Sequence, residues 1–524
     1  MSRLLLPLVL FAACARQPAP EPALTATPLR ERAATPGPRF QRLDPKTTGL
    51  DFTNTLQPQN TVPYVYVGGG VAIGDYDGDG LPDVFLCSLD GPNKLFKQVA
   101  PMRFVDVTAQ AGGPNGGLDG GDAWSTAAAF ADVDGDGRLD LYVCNFESPN
   151  QLWLNNGDGT FRECAGQFGL AITAACTGCA FADYDGDGDL DLYVVTDRMF
   201  GPALAQEIVD EVQLPTSVKK TRAQLFPPYP RFERRDGKAV VPEGYEDFFA
   251  AVEDQIVAAG QRDYLMRNDG HGRFRDATEE AGIRGHGTGL SACWWDCDGD
   301  GRPDLYVAND LEAPDQLWHN RGDGTFEEIT TKALPHVAYF GMGCDFGDID
   351  GDGRFDFCVA DMSSTTHYMG KMLMGSMGDK RWFLMHSDPQ QYMRNAVFLN
   401  TGTGRFLEAG YLLGLASTDW TWTVRFVDLD EDGRLDFYAT NGIPRFEDNP
   451  DTVAEFRRLL RSGHKAEALA LARNLEPVLE RNVARRNAGD LRFVDCGKEW
   501  GLDELGVSQA AAFADLDRDG DLDL

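Results

Sequence analysis

The sequence predicts an all-β protein, a seven-bladed β-propeller of four-stranded antiparallel blades. Its last blade is incomplete, and partly helical inserts crown one face. Three observations predict this. A nine-residue acidic pattern, D-x-D-x-D-G-x-x-D, occurs seven times in the 524 residues. An N-x-G-x-G-x-F turn follows several of the copies, as in NNGDGTF from Asn155, NDGHGRF from Asn268, NRGDGTF from Asn320 and NTGTGRF from Asn400. Short runs rich in β-branched, aromatic and small apolar residues flank both patterns, as strands require. One unit therefore reads as strand A, acidic loop, strand B, strand C, Asn-Gly turn, strand D. Four-stranded units repeated radially close into a propeller.

The chain begins with an address. Arg3 precedes an apolar run from Leu4 to Ala13, too short to span a bilayer as a mature helix. Phe11-Ala12-Ala13-Cys14 resembles the box of a bacterial lipoprotein signal, with Phe11 where leucine is usual. The resemblance implies that residues 1–14 are a signal peptide and box, that Cys14 is lipidated, and that the protein is exported to the cell envelope or surface. An ordinary cleaved signal peptide is the other reading. Residues 15–38 hold six prolines and read as an extended tether. The propeller then occupies 39–524. Any membrane attachment would come through the lipid anchor alone.

Residues 39–53, RFQRLDPKTTGLDFT, resemble strand D and its exit in FVDVTAQAGG and FRDATEEAGI. No strand A, B or C precedes them, so they are expected to complete blade seven. That blade starts with GVSQAAAFAD but stops at Leu524, one residue past its last aspartate. The expectation is six complete blades, an incomplete seventh with an open edge, and a longer natural chain.

The acidic loops are the candidate sites. They comprise Asp75, Asp77, Asp79 and Asp83; Asp132, Asp134, Asp136 and Asp140; Asp183, Asp185, Asp187 and Asp191; Asp296, Asp298, Asp300 and Asp304; Asp348, Asp350, Asp352 and Asp356; Asp428, Asp430, Asp432 and Asp436; and Asp515, Asp517, Asp519 and Asp523. These are 28 of the 82 acidic residues. Two like charges about 4 Å apart repel by roughly 1 kcal/mol in water and several times that near a protein surface. A hard divalent cation removes that cost. Calcium takes six to eight oxygens at about 2.3–2.6 Å, so up to seven Ca²⁺ are expected. Magnesium fits less well, because it resists dehydration and demands an octahedron. Position 7 varies, as expected if only its carbonyl binds. The loops are not EF-hands, since position 12 is Leu86, Val143 or Val194 in the first three copies and the flanks are strands.

The loops and turns resemble FG-GAP/VCBS repeats, with calcium loops like those of integrin α-chain propellers. GGGVAIGDYDGDG, GMGCDFGDIDGDG and DWTWTVRFVDLDEDG followed by TNGIPR resemble bacterial relatives of the cartilage acidic protein family, of ASPIC/UnbV-type architecture. The resemblance covers about residues 39–524. It implies the propeller and its calcium.

Loop spacings of 57, 51, 113, 52, 80 and 87 residues place three inserts between strands B and C, at about 197–262, 362–394 and 444–488. All three fall on the face opposite the acidic loops, and long loops on a rigid scaffold commonly carry function. The first contains a predicted helix at Tyr245–Ala259. The third contains a predicted pair, Thr452–Leu460 and Lys465–Arg481. The second holds seven of the twelve methionines, with His367 and His386. Methionine fills irregular gaps, and a Cu(I) site is the sharper alternative.

The net charge of −34 repels phosphate backbones and argues against nucleic acid. Cys176 and Cys179 form a CTGC without the histidine of a c-type haem site, and no second CxxC makes a zinc site. Arg321-Gly322-Asp323 lies inside a turn whose Gly and Asp the fold already requires. No HExxH, GxSxG, Walker A or Rossmann motif is present. The function read from the sequence is a calcium-binding scaffold for a glycan or protein ligand. The alternative is a polysaccharide-active enzyme built on the insert face.

Overall fold

The computed structural model describes residues 38–55, 69–197, 233–372 and 387–524, apart from short stretches at 115, 236–237, 244, 246–248, 253–254, 271, 285–286, 312 and 447–448. The signal, the tether, Cys14, most of the first insert and His386 lie outside the described residues.

Six antiparallel units follow the order A-B-C-D. The first is Val71–Gly74, Asp83–Leu86, Lys94–Ala100 and Arg103–Asp106. The second is Trp124–Ala131, Asp140–Pro149, Gln151–Asn155 and Phe161–Glu163. The third is Thr173–Ala182, Asp191–Thr196, Tyr264–Asn268 and Phe274–Asp276. The fourth is Gly289–Trp295, Asp304–Asn309, Gln316–Asn320 and Phe326–Glu328. The fifth is Cys344–Gly347, Asp356–Val359, Ala396–Asn400 and Phe406–Glu408. The sixth is Asp419–Val427, Asp436–Asn441, Val483–Asn487 and Phe493–Asp495. Each acidic loop joins A to B, each Asn-Gly turn joins C to D, and all three inserts lie between B and C, as the spacings predict.

The core lies between units rather than within them. Strand B carries bulky residues to both faces, so Phe85 and Leu95 pack against Leu141 and Trp153 of the next unit. Tyr193 and Leu265 meet Leu305 and Trp318 in the same way. Such face-to-face burial suits strands that read as near-continuous apolar runs, and all six residues of Asp191–Thr196 are buried. A disulfide joins Cys293 and Cys344 on neighbouring A strands, with Cα atoms 6.6 Å apart. The A strands line a central cavity of about 690 Å³, together with residues 509–513.

Three local expectations are corrected. The predicted helix at Tyr245–Ala259 is a hairpin, Phe249–Val252 against Gln255–Ala258. Its β-branched Val252, Ile256 and Val257 override the helical spacing. The pair in the third insert forms as Pro450–Arg461, capped by Asn449, and Lys465–Arg473. The second helix stops eight residues early because Pro477 lies ahead, and Glu480–Arg481 pairs with Leu505–Gly506 instead. Residues 39–53 form no strand. They hold a short helix, Pro45–Thr48, and Phe40 N–H donates to Trp500 O. Beyond Gly506 the β-pairing among the described residues is the bridge between Ala514 and Asp523, and Ser508 N–H donates to Asn441 O.

Candidate metal centres

The loops share one internal architecture. Position 1 closes the turn: Asp75 Oδ1 accepts from Asp79 N–H at 3.1 Å and Oδ2 from Gly80 N–H at 2.8 Å. Position 5 caps its own exit, as Asp79 Oδ1 accepts from Leu81 N–H. Position 9 starts strand B and is sealed. Asp83 Oδ2 accepts from Tyr76 N–H and Oδ1 from Gln98 N–H on strand C. The same bonds recur at Asp140, Asp191, Asp304, Asp356 and Asp436. The loop from Asp515 folds alike, and Leu516 N–H donates to Asp523.

Positions 9 and 3 are the sheltered carboxylates of the loops. Position 9 is fully buried at Asp83, Asp304, Asp356 and Asp436. Burial pushes the carboxyls of Asp83, Asp140, Asp191 and Asp356 up to about 7, and that of Asp436 up to about 6. Position 3 is also raised by burial at Asp134, Asp185, Asp298, Asp350, Asp430 and Asp517. Its Oδ1 is buried without a hydrogen-bond partner at Asp77, Asp134, Asp185 and Asp430. Unpartnered buried carboxylate oxygens are costly unless a cation meets them. In Asp75, Asp77 and Asp83, in Asp132, Asp134 and Asp136, and in Asp183, Asp185 and Asp191, one oxygen from each residue lies within 4.8 Å of the others. The all-oxygen set fits a hard cation such as calcium. In the fourth loop His319 Nδ1 joins Asp298 and Asp304.

The structure adds three features that the pattern did not disclose. Arginine at position 7 acts through its side chain. Arg138, Arg302, Arg354 and Arg434 each donate Nε–H to the carbonyl of Asn155, Asn320, Asn400 or Asn487, at 3.0–3.2 Å. This ties the acidic loop to the Asn-Gly turn on the same face. Position 4 takes a left-handed backbone, which glycine supplies in five loops and Glu431 (φ 58°) and Arg518 (φ 61°) in the others. Finally, the turn asparagine reaches into the preceding unit. Asn155 Nδ2 donates to Tyr76 O, Asn268 to Val133 O, Asn320 to Tyr184 O, Asn400 to Cys297 O and Asn487 to Ile349 O. The repeat pattern contains the asparagine but not its partner, which another unit supplies.

The Arg-Gly-Asp tripeptide is occupied by the turn, since Asp323 accepts from Thr325 N–H and Arg321 pairs with Glu327. Among the described residues no helix is long and apolar enough to cross a membrane.

Radially repeated antiparallel units with acidic A–B loops, packed face to face around a central cavity, define a β-propeller of acidic-loop repeats. The FG-GAP-like repeat profile matches residues 75–143, 132–194, 244–307, 296–359 and 383–439, more than half of the chain, which therefore belongs to that family. Cartilage acidic protein 1 of Xenopus tropicalis is 29% identical over 142 residues, covering 26% of this chain and 21% of the relative. The Homo sapiens protein of that name is 30% identical over 132 residues, 24% and 19% respectively. The match thus spans about a fifth of the length of these relatives. Among solved structures, the chain is similar to an Agrocybe aegerita lectin that recognises non-reducing terminal N-acetylglucosamine (TM-score 0.40, 15% identity, 85% and 86% coverage). It is also similar to the Dos1 propeller (TM-score 0.33, 9% identity, 72% and 67% coverage).

Proposed function

We propose that this protein is an exported, calcium-bound, seven-bladed propeller that presents a binding surface for a glycan or protein ligand, tethered through Cys14. The observation that carries the calcium reading is the buried Oδ1 at position 3, unpartnered in four loops and aimed among other carboxylates. Bound calcium would offset two of the four negative charges of each loop it occupies and fix strand A against strand B.

A seventh blade, built from both ends of the chain, is supported by three repeated contacts. Phe40 N–H donates to Trp500 O as Phe326 N–H does to Ala281 O. A Cβ added at Gly501 would strike Phe40 O, and one at Gly49 would strike Phe104 O, as one at Gly169 would strike Phe274 O. Leu516 and Ala514 pack with Leu50 and Phe52 against Val84 and Phe96 of the first unit.

The binding reading draws on the insert face. Tyr392 and Tyr411 are 48% and 74% exposed there, with the Arg394 guanidinium 5.9 and 4.8 Å from their rings. Glu408 holds that guanidinium at 2.7 Å. Exposed rigid aromatic rings with a fixed cation suit recognition rather than packing. A glycan array and a pull-down with the calcium-loaded protein test this. Signal lost in Tyr392→Ala and Tyr411→Ala at unchanged melting temperature supports it. Binding unaffected by both variants overturns the assignment of this face, and turnover of a polysaccharide would favour the enzyme.

A further inference from the structure

Resting on the calcium reading above, we propose that the residue just before the turn asparagine on strand C sets which loops take calcium. Lys97 and Arg267 serve as built-in cations on the position 3 aspartates of the first and third loops, whereas Leu154 and Leu399 leave that aspartate to calcium in the second and fifth, which are the tighter sites.

The position is equivalent in every unit. Lys97 pairs across strand D with Val105, Leu154 with Arg162, Arg267 with Arg275, His319 with Glu327, Leu399 with Leu407 and Arg486 with Val494. Each is one residue before the backbone N–H that seals the position 9 aspartate. This register aims its side chain at the mouth of the loop in the same unit. What it brings there differs. Lys97 Nζ bonds Asp77 and lies 3.1 Å from Asp79. Arg267 lies 3.0 Å from Asp185 and 3.9 Å from Asp187. These are positions 3 and 5, the carboxylates a cation needs most. The pairs are sheltered: the side chains of Asp77 and Asp185 are only 13% and 9% exposed. Leu154 and Leu399 bring no charge and are buried against their own cores. In the second and fifth loops the difference lies at position 3: Arg138 and Arg354 pair with the position 5 carboxylates, Asp136 and Asp352, and no strand-C cation among the described residues is set against Asp134 or Asp350.

A fixed ammonium or guanidinium on the ligand oxygens opposes calcium twice. It repels the ion, and it must be displaced from a low-dielectric site before the carboxylate can turn inward. Such charge changes at a calcium loop alter affinity by orders of magnitude, because ligand charge and site rigidity set the Kd.

Native mass spectrometry at fixed free calcium counts the ions directly. Lys97→Leu should add one bound ion at the concentration that just saturates wild type, Arg267→Leu should add one, and the double variant two. Each corresponds to at least a ten-fold gain in affinity of the freed loop. Lys97→Arg keeps the charge and should leave the count unchanged, which separates charge from packing. Circular dichroism confirms that each variant folds, and leucine already stands at this position in two units. If wild type binds calcium and neither leucine variant changes the count, the strand-C position does not select and this inference is wrong while the calcium reading stands. If no form binds calcium, both fall.

Discussion

Replacing Asn155 by alanine should loosen the joint between the first two blades. Asn155 is 2% exposed. Its Nδ2 donates to Tyr76 O at 2.6 Å and to Leu139 O at 3.0 Å, and its Oδ1 accepts from Gly157 N–H at 2.9 Å. The alanine variant keeps the backbone bond to Asp140 and loses all three side-chain bonds. Each is worth about 1 kcal/mol net, and leaving a buried partner unsatisfied costs about 1–3 kcal/mol. A loss of about 3–5 kcal/mol follows. The first unit supplies its own control. Gln98 occupies the equivalent place, and both its side-chain polar atoms are buried without partners. Gln98→Ala removes no bond, so its cost should stay within about 1 kcal/mol. Differential scanning calorimetry in saturating calcium reads both. For a chain of this size roughly 1 kcal/mol corresponds to about one degree, so Asn155→Ala should melt about 3–5 degrees lower. Equal shifts in the two variants would refute the inter-blade role of the asparagine.

Asp263 is buried and accepts from Thr196 N–H and Tyr193 O–H, while burial raises its carboxyl from 3.8 to about 6. The folded state therefore binds its proton more tightly than the unfolded chain. Stability from this group is fully present below about pH 4 and declines as pH rises through about 6. Asp263→Asn, which reproduces the Asn150–Tyr142 arrangement of the second unit, should raise stability at pH 7.5 by up to about 3 kcal/mol and change it little at pH 4. A pH series of denaturant unfolding midpoints checks this, and a gain independent of pH would contradict it. Cys14→Ser should move the protein from the membrane fraction to the soluble one after cell fractionation, because several acyl chains on one residue anchor firmly. Unchanged partition would remove the lipid anchor from the account.

The repeated features were legible in the sequence because each rests on a short local rule. Aspartate spacing, the glycine turn and the Asn-Gly hairpin placed the loops, the strand order and the B–C inserts. What failed was tertiary. The segment from Tyr245 carries helical spacing, yet β-branched residues around Glu253-Asp254 pair as a hairpin. The Ala, Leu and Glu pattern runs on helically to Arg481, but Pro477 ends the second insert helix at Arg473. Residues 39–53 match strand D in sequence, and the structure gives them its exit contacts without its ladder. At the sites, the sequence located every aspartate. It did not show which strand-C residue faces each loop, because that depends on the register between C and B. Nor did it show that the turn asparagine bonds the neighbouring unit.

The central claim is that the acidic loops hold calcium and that calcium holds the propeller. The direct measurement is the melting temperature of protein stripped with EDTA and then titrated with calcium. At ten times Kd each occupied loop contributes about 1.4 kcal/mol, so filling only the second and fifth loops should raise the midpoint by about 3 degrees, and filling more should raise it further. Magnesium at equal concentration should do markedly less. A midpoint that does not move with calcium would contradict the account.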